Sequence, residues 1–217
     1  KEKENESKIE MTTTPSTEKT DSEKFVELLV DPSKPVIKRG GIFSEIPEPR
    51  RLRTNWDRIE GMLLGVAIGD SLGAPTETML PPQRREFAKG DVRDFSETAK
   101  SSDGETSFIG VGLPTDDTQL TFWGLESLIE SRGFCGPNLA AHLAKQTRGG
   151  GSTTAAFIRN FKGLSDAEVT SGEWMHCGAE GRSSNGALMR ISPYILPHLK
   201  NATPTLWSDA AAASAIT

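Results

Sequence analysis

Four glycines recur at every fourth position of one apolar segment, and this row constrains the fold more than any other feature: Gly61, Gly65, Gly69 and Gly73. The apolar residues at positions 59–67 follow the i, i+3, i+4, i+7 spacing of a packed helix, so a helix is predicted from Asn55 or Asp57. Each interior glycine costs a helix about 0.5–1 kcal/mol relative to alanine. We therefore expect another segment to lie close against the glycine side, and tight packing with no further role is an open alternative.

The rest of the domain also shows helical spacing. Thr115 is a predicted N-cap and Gly133 a predicted stop for a second helix. Further helices are predicted at 138–147, 153–161, 186–199 and from 205 to the end, with a kink or break at Pro193 in the third of these. No stretch shows the sustained period-two alternation of a strand. The sequence therefore predicts an all-α fold.

The first 54 residues differ in composition from the rest of the chain. Residues 1–24 hold five lysines and seven acidic residues but no aromatic residue. Residues 25–54 add a short apolar patch, several prolines and a basic run. Such a segment buries too little surface to offset its ordering entropy. We therefore predict a polar, largely disordered tail and linker at 1–54 and one domain at 55–217.

Charge and cysteine content exclude several classes of protein. The net charge of −5 argues against strong nucleic-acid binding, which needs a concentrated basic surface. The longest membrane-like run, at 61–69, is far shorter than the ~20 residues that span a bilayer. Cys135 and Cys177 are too few for a disulfide framework and are interpreted as thiols in a reducing compartment. We expect a cytoplasmic protein with no membrane segment and no secretory leader.

The strongest local motif is the acidic pair that follows Thr115. Asp116 and Asp117 fall in the first turn of the predicted second helix, where carboxylates interact favourably with the helix dipole by ~0.3–1 kcal/mol each. A structural cap is therefore one explanation. The other is a site for a hard cation, because Mg²⁺ and Mn²⁺ prefer oxygen ligands and these residues offer three oxygen-bearing side chains.

Two further features carry possible chemistry. Glu77 emerges from a Gly/Pro turn after the glycine row, where a rigid helix could hold it for general-base work; a solvated loop glutamate is the alternative. The loop at 181–186, rich in Gly, Ser and Asn, precedes a helix and could bind phosphate oxygens, although a capping loop would look similar. Trp174 and His176 lie just upstream and could stack on a base, with a buried core position as the alternative for Trp174.

Three motifs in this order resemble the ADP-ribosylglycohydrolase family. They are Gly-Asp-x-Leu-Gly-x-Pro-x-Glu at 69–77, Pro-Thr-Asp-Asp-Thr-Gln at 114–119 and Ser-Asn-Gly-Ala-Leu-Met-Arg at 184–190. The resemblance covers residues 56–217. It implies an all-α fold with a cleft for two Mg²⁺ or Mn²⁺ ions, and hydrolysis of the glycosidic bond that joins ADP-ribose to an acceptor.

The resemblance also implies roles and partners. Thr115, Asp116 and Asp117 would be metal ligands, and Glu77 the catalytic residue that orients or deprotonates water. The diphosphate and ribose would lie on the loop residues Gly181, Ser183, Ser184, Asn185 and Gly186. The expected substrate is an ADP-ribosylated protein or a small ADP-ribosyl compound.

Two departures from the family pattern affect this interpretation. Many members have glycine at the position of Ser184, and members carry a late Asp-x-Asp-Thr motif that does not occur before Thr217. We therefore expect the domain to be truncated at its C-terminus, so that this chain alone is incomplete and inactive while its full-length parent is an enzyme. One alternative is a non-catalytic ADP-ribose-binding or structural protein on the same scaffold, as in a lens crystallin. Another is a helical interaction module.

Overall fold

The computed structural model describes residues 18–38, 40, 55–77, 79–96, 110–145, 151–179, 181, 185–200 and 202–217. Every regular element in these ranges is a helix, which confirms the predicted all-α fold. The α-helices are α1 (Asp21–Leu29), α2 (Trp56–Gly73), α3 (Pro81–Phe87), α4 (Asp116–Ser131), α5 (Gly136–Leu143), α6 (Ser152–Lys162), α7 (Asp166–Ser171), α8 (Gly186–Met189) and α9 (Thr205–Ala215). Short 3-10 helices occupy Ala74–Thr76, Glu173–His176 and Ser192–His198.

The hydrophobic core lies where α1, α4, α5 and α9 meet. Its buried side chains include Phe25, Leu120, Leu139, Leu143, Phe157, Trp174, Tyr194 and Ile216. Two glycines allow close approach in this core: a Cβ at Gly124 would lie 2.6 Å from the Tyr194 hydroxyl, and one at Gly136 would overlap the Trp174 ring. Helices α4 and α5 are therefore fixed against aromatic rings by positions that admit no side chain.

Helix α1 lies within the segment predicted to be a disordered tail, and that prediction does not hold for residues 21–29. Thr20 and Glu23 form a capping box at its start. Phe25 is 1% exposed and meets Trp174 edge to face, with 5.2 Å between ring centroids. The Ser22 hydroxyl donates a hydrogen bond to Asp209 of α9. An amphipathic stripe thus lets this short helix bury enough surface to join the core. The predicted domain boundary after residue 54 stays a prediction.

Helix α2 begins where the sequence predicts, because the Asn55 side chain accepts a hydrogen bond from the Arg58 backbone. The expected close neighbour on its glycine side is absent from the described residues. A Cβ at any of the four glycines would meet nothing within 4 Å. Leu64 and Ile68 are also about half exposed. The open glycine side instead faces a cleft. Across the described ranges, no helix combines the length and apolar character needed to cross a membrane.

The remaining predicted helices form with shifted ends, with one exception. The predicted helix at 186–199 divides into the four-residue α8 and the 3-10 helix Ser192–His198, which confirms the expected break near Pro193. Proline has no N–H for the i→i−4 ladder, so the chain takes the tighter 3-10 turn. Helices α3 and α7 were not predicted from the apolar spacing. Helix α7 has a capping box formed by Ser165 and Glu168.

Candidate active site

A cleft of ≈ 520 Å³ lies between α2 and the N-terminus of α4. Glycines of α2 form one wall, and the polar lining comes from Asp70, Glu77, Arg84, Thr115 and Asp117, with Met189 at the far side. Three separate segments of the chain deliver these side chains. Of the predicted metal and catalytic residues, Glu77, Thr115 and Asp117 line this cleft and Asp116 does not.

The Asp70 carboxylate joins the two walls of the cleft. One oxygen accepts from the Thr115 hydroxyl at 2.6 Å, and the other accepts from the Thr115 backbone N–H at 2.8 Å. The second oxygen also accepts from the Thr118 backbone N–H at 3.1 Å and the Thr118 hydroxyl at 2.6 Å. A carboxylate at a helix N-terminus accepts hydrogen bonds from N–H groups that have no acceptor within the helix, and its negative charge interacts favourably with the helix dipole. Asp70 thus caps α4 from another helix.

Thr115 occupies the predicted N-cap position of α4, but its own side chain makes no capping hydrogen bond. Its hydroxyl proton is directed at Asp70, and the contact with Asp117 is longer, at 3.3 Å. A hydroxyl has one proton to donate and two acceptor lone pairs. The Thr115 oxygen is therefore oriented with its lone pairs left for another donor or a cation.

The acidic pair is half-buried and electrostatically strained. Burial raises the pKa of the Asp116 carboxyl to about 6, and the negative charges of Asp117, Glu77 and Asp70 add to the shift. Burial also raises the pKa of Asp117, with Asp70 as the next contributor. The helix N-terminus by itself favours the charged form, so burial and the neighbouring carboxylates outweigh its effect here. A cation between these groups would relieve the repulsion.

Glu77 enters the same site from the turn after α2. Thr76 and Pro75 before it are buried, and the Thr76 hydroxyl donates to the Gly73 carbonyl at 3.2 Å. Glu77 itself is exposed and lines the cleft. Its charge contributes to the raised pKa of Asp116, which places the two carboxylates near each other. An anchored turn with an open carboxylate suits a group that must reach a water molecule.

The side chains at this site offer the type of donor atom that a hard cation prefers, but they do not surround a cation on all sides. Thr115, Asp116 and Asp117 supply oxygen donors, the type that Mg²⁺ and Mn²⁺ prefer. Both oxygens of Asp70 are engaged by hydrogen bonds from α4. Among the residues that the structure describes, no three Asp, Glu, His or Cys side chains are grouped to hold a metal ion. A cation held here would keep much of its hydration shell.

The predicted substrate loop is only partly within the described residues. Gly181, at φ 67°, and Asn185 are exposed, Gly186 begins α8, and none of the three lines the cleft. Ser183 and Ser184 lie outside the described residues. Helix α8 nevertheless reaches the site, because Met189 lines the cleft. The Thr121 hydroxyl of α4 donates to the Met189 carbonyl at 2.8 Å and holds the two helices together there.

The end of α8 is anchored by a buried arginine. Arg190 is 1% exposed and donates to the Thr217 hydroxyl at 2.8 Å and to the Ser214 carbonyl. Burial lowers the pKa of this guanidinium to about 10, so it remains protonated at neutral pH. The arginine of the third motif therefore serves to hold α8 against α9.

Of the two alternatives for Trp174, the structure supports the buried core position and contradicts stacking on a base. Its side chain is 2% exposed, enclosed by Phe25 of α1 and by the backbone at Gly136. His176 is exposed but does not line the cleft. The residue that reasoning from the sequence missed is Asp70. It stands at the end of the glycine row in the first motif, and this position next to the turn was the available signal.

Comparison with known proteins agrees with the motifs. The ADP-ribosylglycohydrolase family model matches residues 50–217, and the chain belongs to that family. This confirms the family resemblance and supports hydrolysis of ADP-ribosyl linkages at the level of the family. An uncharacterized protein of Archaeoglobus fulgidus is 29% identical over 143 residues, which is 63% of this chain and 42% of that relative. The chain thus matches less than half the length of this relative.

Proposed function

We propose that the cleft between α2 and α4 is the catalytic centre of a metal-dependent hydrolase. Its reaction is cleavage of the glycosidic bond that joins ADP-ribose to a protein side chain or another acceptor. One observation carries the proposal: Glu77 and Asp117, from two separate motifs, line one cleft whose walls Asp70 joins. Asp116 does not line the cleft, but its carboxylate is electrostatically coupled to Glu77, Asp70 and Asp117. Membership of the family supplies the class of bond.

The reaction requires water to attack the anomeric carbon as the bond to the acceptor breaks. The transition state carries positive charge on the ribose ring, and nearby carboxylates stabilise that charge. Glu77 orients the attacking water and accepts its proton, since it is the exposed carboxylate of the cleft. The acceptor leaves with the bonding electron pair and takes up one proton, so free ADP-ribose and the unmodified acceptor are the products.

Thr115, Asp116 and Asp117 would hold the metal, proposed as two Mg²⁺ or Mn²⁺ ions. When bound, such ions would supply Lewis-acid chemistry, lowering the pKa of a water molecule and orienting ribose hydroxyl groups. Asp70 would fix the position of Thr115, the residue that directly precedes the acidic pair. A bound cation would offset the burial and the like-charge repulsion that together raise the pKa of Asp116 to about 6.

The loop residues Gly181, Ser183, Ser184, Asn185 and Gly186 are proposed to bind the diphosphate and ribose. The support is the sequence motif together with the position of α8, whose Met189 lines the cleft. The proposed substrate is an ADP-ribosylated protein or a small ADP-ribosyl compound. Cytoplasmic location is also a proposal, supported by two free cysteines, Cys135 and Cys177.

A non-catalytic ADP-ribose-binding or structural protein on the same scaffold is the alternative function. The presence of Glu77 together with Thr115, Asp116 and Asp117 favours the enzyme, because binding alone does not require a positioned exposed carboxylate beside strained ones. Tight binding of ADP-ribose with no turnover in the presence of metal would favour the alternative.

The proposal is tested with the full-length gene product and an ADP-ribosylated protein as substrate. We expect release of ADP-ribose with Mg²⁺ or Mn²⁺, loss of release with a chelator, and a decrease of at least ~10²-fold in Glu77→Gln, the range of general acid–base catalysis. Glu60→Gln is the matched control, since Glu60 is an exposed glutamate of α2 that does not line the cleft. Equal loss of activity in both variants would contradict the assignment of Glu77.

A further inference from the structure

A second cavity of ≈ 460 Å³ adjoins the first. The two cavities share the wall formed by Gly69, Gly73, Thr76 and Arg84. Their common glycine wall is open, because a Cβ at Gly69 or Gly73 would meet nothing within 4 Å. A ligand can therefore lie along the backbone of α2 and extend from one cavity into the other.

The second cavity differs from the first in charge. Its charged lining consists of Arg84, Arg85 and Asp91. Asp91 is engaged by Arg93, with 3.1 Å between Nη2 and Oδ2. Within the described residues, neither Arg84 nor Arg85 has a carboxylate within 4 Å or a side-chain hydrogen bond. One end of the continuous groove is thus acidic and the other is basic.

Arg84 stands at the junction of the two ends. It is exposed on the short helix α3 and lines the same cleft as Asp70, Glu77 and Asp117 without pairing with any of them. A guanidinium carries five N–H donors in a planar fork that matches carboxylate and phosphate oxygens. Its donors are therefore available to a ligand that occupies the groove.

We propose that the second cavity is an anion subsite of the substrate groove, with Arg84 as the residue that contacts the anion and Arg85 reinforcing the positive potential. The inference rests on the proposed function and concerns the part of the substrate beyond the reacting bond. The anionic group has two sources in such a substrate. One is the diphosphate of ADP-ribose, which would then contact Arg84 in addition to the residues proposed for it above; the other is a carboxylate or phosphate on the acceptor side. Both offer paired oxygens to the same guanidinium.

The first arm of the test measures anion binding without metal or turnover. Isothermal titration with inorganic pyrophosphate in metal-free buffer compares the unmodified chain with Arg84→Gln, Arg84→Lys and Arg58→Gln. Arg58 lies on the exposed start of α2 and lines neither cavity, so its variant removes the same charge elsewhere. We expect the dissociation constant for pyrophosphate to be about tenfold larger in Arg84→Gln. Affinity should be partly restored in Arg84→Lys and little changed in Arg58→Gln. No binding by the unmodified chain, or equal effects of both glutamine variants, would overturn the proposal.

The second arm identifies the source of the anion in the full-length gene product. If the diphosphate occupies the subsite, Arg84→Gln weakens the binding of free ADP-ribose. If the acceptor supplies the anion, free ADP-ribose binds normally, and the variant raises KM for acidic ADP-ribosylated peptides more than for neutral ones. If neither changes, the subsite is not part of the substrate groove. If neither the unmodified protein nor any variant turns over substrate, but pyrophosphate binding still depends on Arg84, the proposed hydrolase activity is overturned and the anion subsite is supported. Equal thermal unfolding of the variants checks that α3 still folds.

Discussion

Asp70 and Thr115, separated by 45 positions in the sequence, are joined by two hydrogen bonds, from the Thr115 backbone N–H at 2.8 Å and from its hydroxyl at 2.6 Å. This contact joins α2 to the N-terminus of α4. The first turn of α4 holds Asp116 and Asp117, and Asp117 lines the cleft. The relationship makes Asp70 a positioning residue for the acidic pair and a cap for the helix that carries it.

Asp70→Asn tests the capping role. An amide keeps one acceptor oxygen but turns N–H donors toward the donors of α4, so we expect the free energy of unfolding to fall by about 1–2 kcal/mol. Chemical denaturation of the metal-free chain measures the change. Asp57→Asn, on the exposed first turn of α2, is the matched control and should have an effect within about 0.5 kcal/mol. Equal stability of the two variants would show that Asp70 does not cap α4.

Asp116→Asn tests the strain in the acidic pair. The folded-state pKa of about 6 lies above the ordinary value of 3.8, so the contribution of this group to stability is fully present below pH 3.8. That contribution is lost as pH rises through 6, since ionisation is then penalised in the folded state. We expect the metal-free variant to be more stable than the unmodified chain at about pH 7.5 and nearly equal to it near pH 4. Denaturation across this pH range measures the difference, and a difference independent of pH would contradict the raised pKa.

Metal binding is expected to be weak and to compete with protons. The described carboxylates do not form a closed site, and protonation of Asp116 around pH 6 removes an anionic ligand. Titration of the chain with Mn²⁺ should therefore show an apparent affinity that falls as pH drops below about 6.

Asp116→Asn and Asp117→Asn should each weaken Mn²⁺ binding while the chain stays folded. If either variant melts the protein and leaves metal affinity unaltered, the pair is a structural cap.

Phe25→Ala tests whether α1 is part of the core. The ring is 1% exposed and packs against Trp174, so its removal should lower the free energy of unfolding by about 3–5 kcal/mol. Leu28 on the same helix is 37% exposed, and Leu28→Ala should cost far less. Denaturation of both variants measures the contrast. A negligible effect of Phe25→Ala would show that the helix contributes nothing to the folded domain.

Local signals in the sequence predicted most of the helices. Asn55 caps α2 as expected, and the break near Pro193 follows from the missing N–H of proline. The first-turn position of Asp116 and Asp117 was also correct. These features depend on a few neighbouring residues, so they can be recognised without knowledge of the tertiary structure.

Two kinds of feature were missed. Some depend on contacts between segments that are distant in the sequence, and others are short helix signals that the overall composition of a longer segment conceals. The hydrogen bonds of Asp70 span 45 and 48 positions, and nothing in its own motif specifies that partner. Composition over residues 1–54 concealed the capping box of Thr20 and Glu23, which precedes an apolar stripe and is a recognisable helix signal. The spacing of the α2 glycines predicted a bare helix side correctly, but not that it faces a cleft.

Whether this cleft is a catalytic centre is decided by ADP-ribose release from an ADP-ribosylated protein, measured for the full-length gene product with and without Mn²⁺. Parallel assays use Glu77→Gln, Asp116→Asn and the control Asp57→Asn. We predict release that requires metal, falls by at least ~10²-fold in the first two variants and persists in the control. Release that is unchanged in Glu77→Gln and Asp116→Asn, or ADP-ribose binding with no release under any metal condition, would contradict the assignment of this cleft as the catalytic centre.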